Sequence, residues 1–165
     1  MLDHQHGAQI ALEHLLQLGH RKIAFIKGQE FNSDTSVRWQ AIEEAASSLN
    51  LPISKNLVVQ LEGDSPSPPP GYKVTRKLLS THERFTALLA FDDISAMEAI
   101  RAIRDAGMGV PEDISIVGFD DIQSAAYQIP GLTTVRQPLR KMGKIAAETV
   151  LRRINRPGME QIRLR

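Results

Sequence analysis

The sequence predicts an α/β fold of three layers, in which an open, mostly parallel sheet of about five strands lies between two layers of helices. Five short apolar runs alternate with segments of helical period along the 165 residues, and the runs contain little polar alternation. Such runs are typical of strands buried on both faces, and strand–helix alternation is typical of parallel strands joined by right-handed crossovers. No linker divides the chain, so a single domain over residues 1–165 is expected.

The five apolar runs are the predicted strands. They lie at residues 23–26, 57–61, 87–91, 114–117 and 132–135. Open parallel sheets bind ligands at the carboxyl ends of their strands. The polar residues that directly follow each run are therefore the first candidates for a functional site.

The segments between the runs carry apolar residues at helical spacing. These stripes cover residues 8–16, 37–49, 94–103 and 139–154, and a further helix is expected from Tyr72, after the proline-rich surface loop at 65–71. Gly19 and Gly107 are placed to end their helices in the left-handed conformation. The last helix is expected to begin just after Pro138 and to end before Pro157.

The pattern opens on a helix rather than on a strand. In a βαβ series a helix normally follows a strand, which is missing here. From the pattern alone two interpretations stay open, namely a domain that begins with a helix and a piece of a longer protein.

The charge balance does not favour nucleic acid as a direct partner. Lys and Arg number 20 against 19 Asp and Glu, which gives a formal net charge of +1. A DNA-binding module is typically strongly basic. The final helix carries a cluster of basic residues, but they alternate with its apolar stripe, which favours a solvated face. The cluster comprises Arg140, Lys141, Lys144, Arg152, Arg153 and Arg156.

Residue composition excludes several further classes of site. The chain has no cysteine, which excludes a disulfide scaffold, a thiolate metal site and a cysteine nucleophile. Its apolar runs are far shorter than the ~20 residues that span a bilayer, and no signal peptide follows Met1, so no membrane contact and a cytoplasmic location are expected. Phosphate-binding glycine loops and a serine nucleophile elbow are also absent.

Three charged residues at predicted strand ends are the candidate ligand-binding residues. Asp92 and Asp120 directly follow their strands, and Arg38 follows a polar loop at 32–36. Carboxylates accept hydrogen bonds from hydroxyl groups and a guanidinium donates several, so this set suits a ligand rich in hydroxyls or ring nitrogens. A solvated arginine in the first turns of a helix is the simpler alternative for Arg38.

The neighbouring aspartates have structural alternatives. Asp93 precedes a helix and is expected to cap it rather than to contact ligand, and Asp121 has the same capping alternative for the segment after it. A metal-dependent enzyme that uses all four aspartates stays open as another class of function. His4, His6 and His14 lack a third ligand of metal type and are expected to be exposed. No cofactor is expected.

Three segments carry a family resemblance. They read GHRKIAFI at 19–26, FTALLAFDD at 85–93, and VPEDISIVGFDDIQSAAY at 110–127, the last followed by PGLTTVRQP at 130–138. In this order and spacing they resemble the lactose-repressor (LacI-type) family of bacterial transcription regulators. The resemblance covers essentially the whole chain.

The resemblance implies a non-catalytic, effector-binding role. These regulators have a helix-turn-helix headpiece, a hinge helix and a core of two subdomains that resembles periplasmic sugar-binding proteins. A small effector binds between the subdomains and changes the affinity for operator DNA. This sequence is similar only to the second, flavodoxin-like subdomain and its entry helix, so excision from a longer protein becomes the favoured interpretation. A homodimer is expected of the full-length form.

By the same resemblance, Arg38 matches the effector-binding arginine of the family. Asp92 stands where the family has asparagine, and Asp120 matches the first aspartate of G-[FY]-D-D, whereas Ala41 replaces a family glycine. An aspartate only accepts hydrogen bonds, and no aromatic follows Gly63, so a sugar or related polyol is expected rather than a purine. An exported sugar-binding protein of transport or sensing, with the same architecture, is the alternative.

Overall fold

The computed structural model describes residues 3–63, 67, 69–81 and 83–155. Each of the five predicted strands is present, and their bounds are β1 (Ile23–Lys27), β2 (Val58–Gln60), β3 (Ala87–Leu89), β4 (Ser115–Asp120) and β5 (Thr133–Arg136). They form one sheet in the order β2-β1-β3-β4-β5, and every neighbouring pair is parallel. The predicted α/β class and the parallel sheet are confirmed.

Five helices connect or flank these strands. They are α1 (His4–Gln17), α2 (Ser33–Ser48), α3 (Pro70–Leu79), α4 (Asp93–Asp105) and α5 (Leu139–Asn155). Helices α1 and α2 pack together on one face of the sheet, and α3 and α4 pack together on the other. The three predicted layers therefore form from the first four helices.

Each face of the sheet has its own apolar core. Successive residues of β1 alternate between the two faces, so that Phe25 packs with α1 and α2 while Ala24 and Ile26 pack with α3 and α4. The central strands are buried on both faces, as the apolar runs predict. The edge strands β2 and β5 are only partly buried, because each has a neighbouring strand on one side only.

The strand order creates a crevice at the carboxyl end of the sheet. The chain leaves β1 toward α2 on one face and leaves β3 toward α4 on the opposite face, although β1 and β3 are neighbours. Such a reversal opens space between the two connections, and ligands of open α/β sheets bind there. Both connections carry candidate site residues.

The first turn of α1 lies unusually close to β4 and β5. A Cβ atom on Gly7 would stand 2.6 Å from Cζ of Phe119, which is closer than carbon atoms pack. A glycine at this position therefore allows α1 to begin directly over the carboxyl end of the sheet. At the other end of α1, Gly19 has the predicted left-handed backbone, with a φ of +89°.

Helix α5 differs from the others because none of its residues is buried. It begins directly after Pro138, as predicted, and its five basic residues up to Arg153 are exposed. Its apolar side chains Leu139, Val150 and Ile154 are exposed as well. Arg156, Pro157 and residues 65, 66 and 68 of the proline-rich loop lie outside the described residues. Among the helices the structure describes, none has the length and apolar character to cross a membrane.

Candidate functional site

Arg38 lies at the centre of the crevice and is buried, with only 4% of its surface exposed. It projects from α2 between two aromatic rings, with its guanidinium carbon 4.4 Å from the ring centre of Phe91 and 4.2 Å from that of Phe119. The negative faces of aromatic rings attract a guanidinium, and the attraction grows when water is excluded. The alternative of a solvated arginine is therefore wrong.

Hydrogen bonding and charge hold Arg38 across the crevice. Its Nη1 donates to the carbonyl oxygen of Phe91, two residues after β3, and its Nη2 lies 3.9 Å from Oδ1 of Asp120. Burial lowers the pKa of Arg38, and the carboxylates of Asp120, Asp34 and Asp92 oppose that effect. Arg38 thus links α2 with the ends of β3 and β4.

Asp120 ends β4 with its side chain in the same corner. Burial raises the pKa of its carboxyl group, and the Arg38 charge opposes the rise as the next largest effect. Its Oδ1 also accepts a hydrogen bond from Nε2 of Gln137, which directly follows β5. The sequence points to the segment after β5, but nothing in its pattern singles out Gln137.

Asp92 lies at the entrance to α4, where it is the residue that caps the helix. Its Oδ1 accepts hydrogen bonds of 2.7 Å from the backbone nitrogen and from the hydroxyl of Ser95. A side chain in this position satisfies backbone donors of the first helical turn. The structure therefore places Asp92 at the predicted strand end and gives it a capping role there as well.

Asp93 does not cap α4, so that prediction is wrong. The helix begins at Asp93 itself, whose carboxylate is fully buried. It accepts hydrogen bonds from the hydroxyl of Thr134 at 2.5 Å and from the backbone nitrogen of Ile122 at 2.8 Å. Burial raises the pKa of Asp93, and these two hydrogen bonds oppose the rise. Asp93 thereby ties the start of α4 to the connection after β4.

Asp121 does not cap the segment that follows it either. Its carboxylate accepts a hydrogen bond from Nε of Arg136, and the short 3₁₀ helix Gln123–Tyr127 has no side-chain cap. The four aspartates are thus engaged with four different sets of partners. Over the described residues, no three His, Asp or Glu side chains are grouped so as to hold a metal ion.

His4 is buried, contrary to the prediction of an exposed side chain, because the first turn of α1 lies against the end of the sheet. Burial and, next, the charge of Arg38 lower its pKa, while Asp34 and Asp3 oppose the change. His6 and His14 are exposed, as predicted. Only His4 of these three therefore belongs to the surroundings of Arg38.

Comparison with known proteins agrees with this architecture. Residues 12–164 match the model of the periplasmic binding protein-like domain family. A curated relative, the HTH-type transcriptional repressor PurR of Aliivibrio fischeri, is 41% identical over 152 residues, which are 91% of this chain and 44% of that protein. The chain thus spans less than half the length of this relative.

Solved structures of regulators share the fold. The transcriptional regulator CelR in complex with cellobiose superimposes with a TM-score of 0.88 at 31% identity, over 99% of this chain and 49% of that one. A LacI family regulator from Enterococcus faecium with bound ribose gives 0.80 at 32% identity, over 96% and 57%. The chain therefore belongs to the periplasmic binding protein-like domain family, in the form of the effector-binding core of LacI-type transcriptional regulators.

Proposed function

We propose that the chain binds a small effector at the carboxyl end of its sheet, through Arg38, Asp92 and Asp120. The observation that carries the proposal is the buried Arg38, held between Phe91 and Phe119 and 3.9 Å from Asp120. A guanidinium with fixed orientation donates hydrogen bonds at little entropic cost. In this proposal Arg38 donates to the ligand, and the two aspartates accept from it.

A sugar or related polyol is the proposed ligand class. Asp92 and Asp120 offer acceptor oxygens for hydroxyl groups, and the rings of Phe91 and Phe119 each use one face for Arg38 rather than for a planar ligand. Structural neighbours with cellobiose and with ribose support this class. The loop residues Asp64, Ser65 and Pro66, where the sequence lacks an aromatic, lie outside the described residues.

A purine is the second candidate, and a specific observation favours it. The relative with 41% identity is a repressor named PurR. Ring nitrogens and exocyclic amines of a purine would also pair with an arginine and two carboxylates. The two candidates differ in whether the ligand needs stacking on an aromatic ring.

We infer that the chain acts within a longer regulator, as one of two subdomains that close on the effector. Ligand binding then shifts the population between states of different operator affinity, with DNA contacted by a separate headpiece and the protein a cytoplasmic homodimer. A non-catalytic role follows from this function. The relatives are transcriptional repressors, which favours a regulator over the alternative of an exported sugar-binding protein.

Titration calorimetry on the full-length protein tests the proposal, with cellobiose, ribose, adenine, guanine and hypoxanthine as probes. Replacing Arg38→Ala is expected to weaken binding of the best probe by about 1.5–3 kcal/mol, roughly 10- to 150-fold, because a charge-assisted hydrogen bond is lost. Arg136→Ala is the matched control, since its side chain is exposed. Unchanged affinity in Arg38→Ala would overturn the site, and tight binding of a purine base alone would replace the sugar proposal.

A further inference from the structure

An open groove of about 1210 Å³ runs along β2, the strand at one edge of the sheet. Its walls are formed by β2 itself, by one side of α3, and by the segments that precede β1, β2 and β3. The volume exceeds the roughly 300–1,000 Å³ of most small-molecule pockets, which leaves room for an extended chain. Arg38, Asp92 and Asp120 do not line this β2 groove, so it is distinct from the effector site proposed above.

Strand β2 offers unpaired backbone groups along the groove. Its one neighbour among the described strands is β1. The amide of Leu61 donates to the carbonyl oxygen of Lys27 at 2.9 Å, and successive peptide groups of a strand point in opposite directions. The N–H and C=O of Gln60 therefore point away from β1. An open strand edge of this kind can pair with a further strand.

Positive charge surrounds this open edge. Five exposed cationic side chains line the groove, and none forms an ion pair within the part of the chain that the structure describes. They are Lys22, Lys55, Lys73, Lys77 and Arg84. Of the two carboxylates in the groove, that of Glu83 already accepts hydrogen bonds from Ser54 and Asn56. The whole chain has a net charge of only +1, so the excess of positive charge is local.

The five cations determine which kind of strand this edge can accept. A second copy of the chain would bring the same five cations against them, and the repulsion disfavours pairing between copies. An extended segment rich in carboxylates would instead be attracted. Single-stranded nucleic acid is also anionic, but the described residues that line the groove include no aromatic side chain on which a base could stack. The charges and the open edge together favour an acidic peptide.

We propose that the β2 groove is a docking site for an acidic, extended segment of a partner protein. The segment pairs its backbone with Gln60 and so adds a strand beyond β2, while its carboxylates contact Lys73, Lys77 and Arg84. In this mode of recognition the backbone hydrogen bonds supply affinity, and the charges select the partner. The proposal does not depend on the effector or on its site.

The test is an NMR titration of the ¹⁵N-labelled chain with three capped peptides of eight residues. Glu and Val alternate in the first, Lys replaces Glu in the second, and the third is the first with its two central peptide nitrogens methylated. The first is expected to shift the amide signals of Val59, Gln60 and Lys73 in a saturable manner. It should bind about tenfold more tightly than either of the others, because they lack the charge or the backbone donors. No saturation, or equal affinity for either control peptide, would overturn the proposal.

Charge reversal on α3 locates the contact. Lys73→Glu combined with Lys77→Glu is expected to weaken binding of the Glu peptide about three- to thirtyfold, because two attractions become repulsions. Arg140→Glu combined with Lys141→Glu, at exposed positions of α5, is the matched control and should change the affinity less than about twofold. Equal weakening in the two double variants would show attraction to the overall charge alone and would overturn the site.

A twelve-nucleotide oligo-dT serves as the competing probe on the unmodified chain. The Glu peptide is expected to bind more tightly than this oligonucleotide, because only the peptide can pair with the backbone of β2. Tighter binding of the oligonucleotide in the groove would overturn the peptide in favour of nucleic acid. If a double variant loses its dispersed spectrum, the comparison of the three peptides on the unmodified chain decides.

Discussion

Two arginine–aspartate pairs lie side by side at the end of β4, with aspartates of nearly equal exposure, 27% and 29%, and arginines that differ in burial. Asp120 and Asp121 are consecutive, and both have positive φ values, +113° and +57°. Asp120 faces Arg38, which is buried between two aromatic rings, whereas Asp121 pairs with Arg136, whose side chain is 82% exposed. The same two chemical groups therefore form a fixed pair with a buried arginine in one case and an ion pair with an exposed arginine in the other.

Removing each arginine in turn is the strongest test of this difference. Arg38→Ala is expected to lower the free energy of unfolding by about 2–3 kcal/mol, because it leaves the half-buried Asp120 without its cation and opens space between Phe91 and Phe119. Arg136→Ala is expected to change it by less than about 0.5 kcal/mol, as exposed ion pairs contribute little. Urea unfolding followed by circular dichroism measures both. Equal losses in the two variants would show that burial does not separate the pairs.

Removing the carboxylate of Asp93, which bonds the segments next to both pairs, should lower the unfolding free energy by less. Asp93→Ala is expected to cost about 1–2 kcal/mol of unfolding free energy, because Thr134 and the Ile122 backbone nitrogen each lose an acceptor. The loss is moderate because ionised Asp93 is itself costly to bury. Asp105→Ala, in an exposed ion pair on the same helix, is the control in the same urea experiment. A loss no greater than that of the control would contradict the supporting role of Asp93.

The smallest expected effect is on the pH dependence of stability. It arises from His4, which lies near Arg38 and not near Arg136. In the folded chain, burial and the charge of Arg38 lower the pKa of His4 below its usual value of 6.5. The charges of Asp34 and Asp3 oppose this shift. The unfolded chain therefore takes up a proton first as the pH falls below 6.5, and the folded state loses stability. The slope for one proton is at most about 1.4 kcal/mol per pH unit.

His4→Phe should remove this contribution. Thermal unfolding between pH 7.5 and 5 is expected to show a flatter pH dependence in this variant than in the unmodified chain. His20, whose pKa burial also lowers, remains in both proteins and keeps part of the slope. The exposed His6→Ala variant serves as the control. Identical slopes in His4→Phe and the unmodified chain would mean that His4 titrates as in water.

Most of the fold was predictable from the sequence, because buried strands and amphipathic helices leave periodic patterns. The run at 114–117 overlaps the start of β4, and the spacing from Ile94 to Ile103 lies within α4. The burial of β2 was overestimated, since an apolar run does not show whether its strand lies at the sheet edge. The exposed stripe of α5 was likewise not predictable, because periodicity identifies an apolar face without showing what covers it.

The position of the candidate site residues was predictable, and their contacts were less so. The strand-end rule placed Arg38, Asp92 and Asp120 at one edge of the sheet, and the structure brings Arg38 and Asp120 together. Whether Asp92 or Asp93 caps α4 depends on where the helix begins to within one residue, a precision that sequence patterns lack. His4 is buried because α1 packs against β4 and β5, which lie more than 100 residues further along the chain, and Gln137 bonds Asp120 from the far side of β5; no local pattern records either contact.

The candidate site residues are spread over 100 positions of the chain, from Arg38 to Gln137, so they come together late in folding. The candidate residues come from four different parts of the chain, namely Arg38, Asp92, Asp120 and Gln137. Strand β1 pairs with β3 only after the intervening β2 and α3 have been synthesised. During synthesis from the amino end, the corner around Asp120 cannot close until β5 has left the ribosome and added the last strand. Parallel pairings of long sequence separation also form slowly. A ligand held in this corner would therefore recognise only chains whose sheet is finished.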